Sequence, residues 1–159
     1  LEQLGFHWFE EPIPDRQLAM LKRLSDELAI PILATETLTH RELPEYLTQH
    51  AVDLARGDVF IKAGITGLRK AAALAEMLGY NLEVHTLHSP LLDVANLHVA
   101  CAIKNCEFVE SHHPMFRFGL KSAPLDIDED GCQRLPNGQG LGVTLDWDWI
   151  DRHTMTMLT

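Results

Sequence analysis

Glu10, Glu36, Asp58, His85 and Glu110 follow one another at separations of 26, 22, 27 and 25 residues. Each lies at the end of a short apolar run that reads as a strand, and the separations match the length of one strand–helix unit. If the strands are parallel, all five side chains arrive at the C-terminal edge of one sheet, where parallel α/β folds carry their chemistry. Any one of them is equally well explained as a solvated loop acid, because turns are rich in Asp and Glu. Five in one register favour a site.

Glu10 and Glu36, on neighbouring strand ends, begin a site for a hard cation such as Mg2+, which takes oxygen ligands in an octahedron. Two carboxylates are too few for a dedicated site, and a third acid is expected at the end of a strand preceding Phe6. The same two acids also suit glycosidase acid–base work, which depends on their separation. Asp58 and His85 are one unit apart, so the carboxylate can hold one imidazole nitrogen while the other moves a proton. A structural histidine is the competing explanation. Glu110, kept protonated, would donate a hydrogen bond to a developing oxyanion; otherwise it is one more solvated acid. His88, His112 and His113 are weaker candidates for contacting substrate. GxGxxG, Walker, GxSxG and HExxH patterns are absent from the sequence.

The elements that must carry these residues alternate. Apolar spacing predicts a helix over 15–28 from Leu18, Leu21, Leu24 and Leu28. Strands are predicted at 6–9, 32–34, within 52–61, at 82–84 and at 107–109. Helices are predicted over 41–50, capped by Thr39, over the LRKAAALAEML run that Gly67 opens and Gly79 stops, and over 91–103. Such alternation implies crossover connections and a parallel sheet. From about Lys121 the chain becomes rich in turns, with Asp-Gly and Asn-Gly pairs. A strand at 143–145, a short terminal helix in WDWIDRH, and packing roles for Trp147 and Trp149 are expected there.

Composition bounds the rest. The 159 residues are 46% hydrophobic and 23% charged, with a net charge of -10, which describes a folded protein and disfavours nucleic acid or an anionic membrane as its partner without forbidding a local basic patch. Apolar stretches fall far short of the roughly 20 residues that cross a bilayer. Three cysteines without a CxxC point to free thiols and a reducing, cytoplasmic setting. The chain opens on Leu1 rather than Met, directly before a strand, so a fragment of something larger is expected.

With these residues in place, the chain resembles the C-terminal part of a mandelate racemase and muconate lactonising type enzyme of the enolase superfamily. The matching text is FHWFEEPIP at 6–14, PILATE at 31–36, GDVFIKAGITGLRKAAALAEMLG at 57–79, LEVH at 82–85, CEFVE at 106–110 and GLGV at 140–143. The resemblance implies α/β architecture consisting of strands four to eight of a (β/α)8 barrel over 1–120, with a tail over 121–159 that packs on the barrel and on an N-terminal capping domain lying outside this chain. It implies a magnesium enzyme that removes the proton alpha to a carboxylate, with Glu10 and Glu36 as metal ligands. Asp58 and His85 would be the acid–base dyad of the mandelate racemase branch, and Glu110 would hydrogen-bond the substrate carboxylate. It also moves the third strand to 52–57, with Asp58 just beyond its end. Ala63 departs from the family, which usually has glycine there.

The first metal-binding aspartate, the lysine base and the cap all lie outside this chain, so no activity is expected of it alone, and the complete enzyme is expected to be a homo-oligomer. Polar residues near the rim, Thr86, His88, Ser89, His112 and His113, suit a polyhydroxylated carboxylate substrate. An acid-sugar dehydratase is therefore the expected function. A racemase or epimerase of a 2-hydroxy acid is the alternative within the same chemistry, and a non-catalytic α/β module binding a metal or a protein is the alternative outside it.

Overall fold

A computed structural model describes residues 1–86, 89–111, 118–121 and 125–156. Four short strands, Phe9–Glu10 (β1), Ile32–Ala34 (β2), Leu54–Gly57 (β3) and Leu82–Val84 (β4), form a parallel sheet in the order β1-β2-β3-β4. Helices Leu18–Glu27 (α1), Leu43–Thr48 (α2) and Gly64–Met77 (α3) form the crossovers, and Pro90–Ala100 (α4) follows β4. The pairing runs Phe9 to Ile32, Leu33 to Leu54 and Ala55 to Leu82, so all strand ends share one edge. Strand β2 is buried on both faces, as expected of a parallel sheet covered by helices.

The helices form where apolar periodicity predicts them, with boundaries set by particular residues. Helix α1 buries Leu21 and carries the i,i+4 pairs Lys22–Asp26 and Arg23–Glu27 on its outer face. Helix α3 begins at Gly64, three residues before Gly67. Gly67 is instead the point of closest approach, since a Cβ there would fall 1.8 Å from the Lys62 carbonyl oxygen. The helix runs to Met77, with Leu78 at its C-cap, and the chain turns away at Gly79, whose φ of +83° suits a residue without a Cβ. Ser89 caps α4 by accepting a hydrogen bond from Leu92 N, 3.3 Å away. Thr39 does not cap α2. The N-cap position is Glu42, whose Oε2 accepts from the Thr39 amide and hydroxyl, while the Thr39 carbonyl accepts from the amides of Glu42 and Leu43.

The strand expected at 107–109 is a single parallel bridge between Val84 and Val109. The buried Glu83 carboxylate explains why. Its Oε2 accepts from the amides of Glu107 and Phe108 at 3.0 and 2.9 Å, taking donors that a ladder would use. The segment still follows β4, through Leu82 N to Asn105 O, and delivers Glu110 to the common edge.

In the tail, 143–145 contributes only a bridge between Leu120 and Leu145, and an antiparallel bridge joins Ile127 to Gln133 across the Asp130-Gly131 turn. Trp147–His153 is a helix (α5) without buried residues. Trp149 stacks between Phe118 and His153, whereas Trp147 is exposed. The tail returns to α4 through Leu125, which packs with Val94 and Leu97, and through His98 Nε2, which lies 3.1 Å from the Leu141 carbonyl. Among the described residues no helix is long and apolar enough to cross a membrane.

Candidate active site at the C-terminal edge of the sheet

The turn that presents Glu36 is built against its own backbone preference. Thr35, which follows β2, has a φ of +86°, a conformation that a β-branched residue rarely adopts. Three neighbours hold it. Asp15 accepts from Thr35 N at 2.6 Å, Thr37 N at 2.7 Å and Thr37 Oγ1 at 2.8 Å. Thr35 Oγ1 both donates to the Arg56 carbonyl and accepts from the Arg56 amide. From inside the fold, the fully buried Lys62 ammonium donates to the carbonyls of Thr35 (2.7 Å), Glu36 (2.9 Å) and Leu38. Burial pushes the Lys62 pKa down to about 8, against the attraction of Asp58, Asp15 and Glu36. Gly57 leaves room for this side chain, since a Cβ there would sit 2.7 Å from Lys62 Cε.

Three of the five edge residues surround a cation. Arg56 Nε lies 2.9 Å from Glu10 Oε1 and 3.9 Å from Glu36 Oε2, and Nη2 donates to Glu110 Oε1. The Arg56 side chain is only 3% exposed. Among the described residues its Nε–H is aligned with no acceptor, so the contact with Glu10 is an ion pair and not a hydrogen bond. Glu110 is fixed from its other side, where Oε2 accepts from Thr86 N at 3.0 Å.

His85 and Asp58 meet beside this cluster. His85 Nδ1 is 3.3 Å from Asp58 Oδ2, and Asp58 is buried completely, its Oδ1 accepting from Ile61 N at 2.8 Å. The other ring nitrogen, Nε2, faces Glu36 Oε1 at 3.5 Å and Glu110 Oε2 at 3.9 Å. Burial disfavours the imidazolium, but the hydrogen bond to Asp58 and the nearby Glu36 and Glu110 carboxylates outweigh it and raise the His85 pKa. Glu36 is also raised, first by its own desolvation, although His85 and Arg56 pull against this. Crowding extends to Glu11, pushed up to about 7 by burial and by Asp15, Glu36 and Glu10.

Glu10, Glu36, Asp58, His85 and Glu110 therefore converge through direct contacts or the shared Arg56. His88, His112 and His113 lie outside the described residues. The sequence reading missed Arg56, although the period of two along a strand was the available signal: a residue two before Asp58 projects to the same side. Lys62 and Asp15 were missed as well. They support Glu36 across 26 and 21 positions of the sequence, and no local pattern marks such a contact.

Among the described residues no group of three or more His, Cys, Asp or Glu is arranged to hold a metal ion. Glu10 and Glu36 nevertheless offer hard oxygen donors that already converge on one positive centre, the Arg56 guanidinium. That donor chemistry fits an oxygen-seeking divalent cation, as a partial set that needs further ligands.

Residues 1–149 match the family described as enolase C-terminal domain-like, and the chain belongs to that family. An arabinonate dehydratase of Saccharolobus solfataricus is 35% identical over 148 residues, covering 91% of this chain and 39% of the relative. A chloromuconate cycloisomerase of a Pseudomonas species is 31% identical over 161 residues, covering 97% of this chain and 42% of the relative. The crystal structure of D-glucarate dehydratase from Agrobacterium tumefaciens complexed with magnesium aligns with a TM-score of 0.85 and 37% identity, over 96% of this chain and 41% of that one. The chain thus spans about two fifths of the length of these relatives, and its four-stranded parallel sheet with helices is part of a (β/α)8 barrel.

Proposed function

We propose that this chain is the C-terminal catalytic portion of an acid-sugar dehydratase of the mandelate racemase branch, with residues 1–120 as barrel and 121–159 as the wrapping tail. The observation that carries the proposal is the orientation of His85: Asp58 holds Nδ1, and Nε2 faces the acids at the sheet edge. A histidine fixed in that way can deliver or take a proton at Nε2 and nowhere else.

Glu10 and Glu36 are the residues that would hold a magnesium ion, which when bound would supply positive charge to a substrate carboxylate. The Asp15–Lys62 clamp orients Glu36 for that role. In dehydration, a base outside this chain would take the alpha proton, and Nε2 of His85 protonates the beta hydroxyl as its C–O bond breaks and water leaves, while Asp58 stabilises the imidazolium that carries the proton. Glu110, fixed by Thr86 N and Arg56, limits where a substrate carboxylate can lie. The arabinonate, D-xylonate and D-glucarate dehydratases among the relatives support this reading, and cycloisomerases stand among the relatives as well.

The full-length protein, incubated with Mg2+ and a panel of acid sugars, is expected to release a 2-keto-3-deoxy acid from at least one. Deuterium incorporation at the alpha carbon without that product would indicate a racemase or epimerase instead. Neither product nor exchange with any acid would leave the non-catalytic binding module as the reading.

A further inference from the structure

We infer that Arg56 is a tethered counter-ion that holds the acid cluster together before metal arrives and competes with the metal for Glu10. The inference rests on Glu10 and Glu36 being metal ligands.

The guanidinium occupies the place where the carboxylates converge. It touches Glu10 at 2.9 Å, approaches Glu36 at 3.9 Å and donates to Glu110. Without it, the partly exposed Glu10, Glu36 and Glu110 would repel one another beside the buried Asp58. A divalent cation on Glu10 and Glu36 would meet the Arg56 charge at close range, and repulsion between buried like charges is weakly screened.

The two ends of the guanidinium are not held alike. The contact with Glu110 is a hydrogen bond, and Glu110 is itself fixed by Thr86 N. The contact with Glu10 lacks an aligned Nε–H, and Glu10 is about one-third exposed. Glu10 is therefore the carboxylate that leaves Arg56, while Glu110 keeps it. Arg56 is a positioning residue that sets how tightly metal binds and keeps the empty site from flying apart.

The test compares the full-length wild-type protein with Arg56→Gln and Arg56→Lys, using Mn2+ titration by calorimetry and thermal melting after chelation. Arg56→Gln is expected to bind Mn2+ at least about ten-fold more tightly and, metal-free, to melt below wild type. Arg56→Lys keeps the charge and is expected to stay within a few-fold of wild type. If Arg56→Gln binds Mn2+ no more tightly than wild type, the inference fails. Glu10→Gln and Glu36→Gln in the same titration separate this failure from that of the metal reading: if neither weakens Mn2+ binding, the ligand assignment itself is wrong. Should Arg56→Gln not fold, the Arg56 Nε–H resonance of wild-type protein supplies the answer. It is expected to shift with Mg2+ along the same curve as binding, and an unmoved resonance at saturation overturns the inference.

Discussion

Lys62 Nζ donates to the carbonyl oxygen of Glu36 across 2.9 Å, so the backbone of one edge acid is held by a buried ammonium from the loop after the next strand. The same ammonium binds the carbonyls of Thr35 and Leu38, making Lys62 the inner half of a clamp whose outer half is Asp15.

Lys62→Met should leave three buried carbonyls short of a donor and destabilise the fold by about 3 kcal/mol at neutral pH. The pH dependence has a defined sign. The folded pKa of about 8 lies below the unfolded value near 10.5, so between these values the unfolded chain binds more protons. Stability from this group is therefore present above pH 10.5 and lost as pH falls through 8. The gap between wild type and Lys62→Met should widen by about 3 kcal/mol from pH 8 to 10.5 in urea titrations. A gap independent of pH would contradict the lowered pKa of Lys62.

Asp15→Ala removes the acceptor for two amides and a hydroxyl around the strained Thr35. A loss of about 2–4 kcal/mol is expected, together with weaker Mn2+ binding by the full-length protein because Glu36 loses its orientation. Unfolding titrations and calorimetry read the two effects separately. Unchanged Mn2+ affinity in a folded variant would detach the clamp from the site.

Ala63 occupies the left-handed region at φ +64°, immediately before α3. A Cβ there costs roughly 1–2 kcal/mol, partly offset by the larger backbone entropy of an unfolded glycine. Ala63→Gly, which restores the residue usual in the resembling family, should stabilise the protein by about 0.5–1 kcal/mol with an unchanged urea m-value. A lower denaturation midpoint would show that Ala63 is favoured by something other than its backbone.

The strand-end acids were legible in the sequence because a strand plus its crossover has a nearly fixed length, and this set Glu10, Glu36, Asp58, His85 and Glu110 in register. Helix α3 was equally legible from its alanine-rich repeat and Gly79. Other features depend on partners far along the chain. Whether 107–109 pairs as a strand depends on Glu83 taking its amides, and no property of CEFVE reveals that. Trp147 looked like an anchor because tryptophan usually is one, yet α5 presents it to solvent. Arg56 and Lys62 are ordinary surface residue types whose burial follows only from the closed packing of the neighbouring units.

The three thiols should differ in reactivity. Cys106 is half-buried, its Sγ 3.3 Å from the Phe108 carbonyl, and burial is the main cause that pushes its pKa up to about 11. At pH 8 only about one such thiol in a thousand is ionised. Iodoacetamide at that pH should modify the exposed Cys132 well before Cys106, as followed by peptide mass spectrometry. Equal rates would mean that the Glu83–Cys106 segment opens readily in solution.

The most direct test of the proposed chemistry is replacement of His85 by Asn in the full-length protein, which keeps a polar group beside Asp58 but cannot carry a proton at Nε2. With a substrate identified from the acid-sugar panel, the account predicts that His85→Asn lowers formation of the 2-keto-3-deoxy product by at least about 10³-fold while Mn2+ still binds. Product formation at near the wild-type rate would contradict it, because the His85–Asp58 pair would then be structural and the proton would move elsewhere.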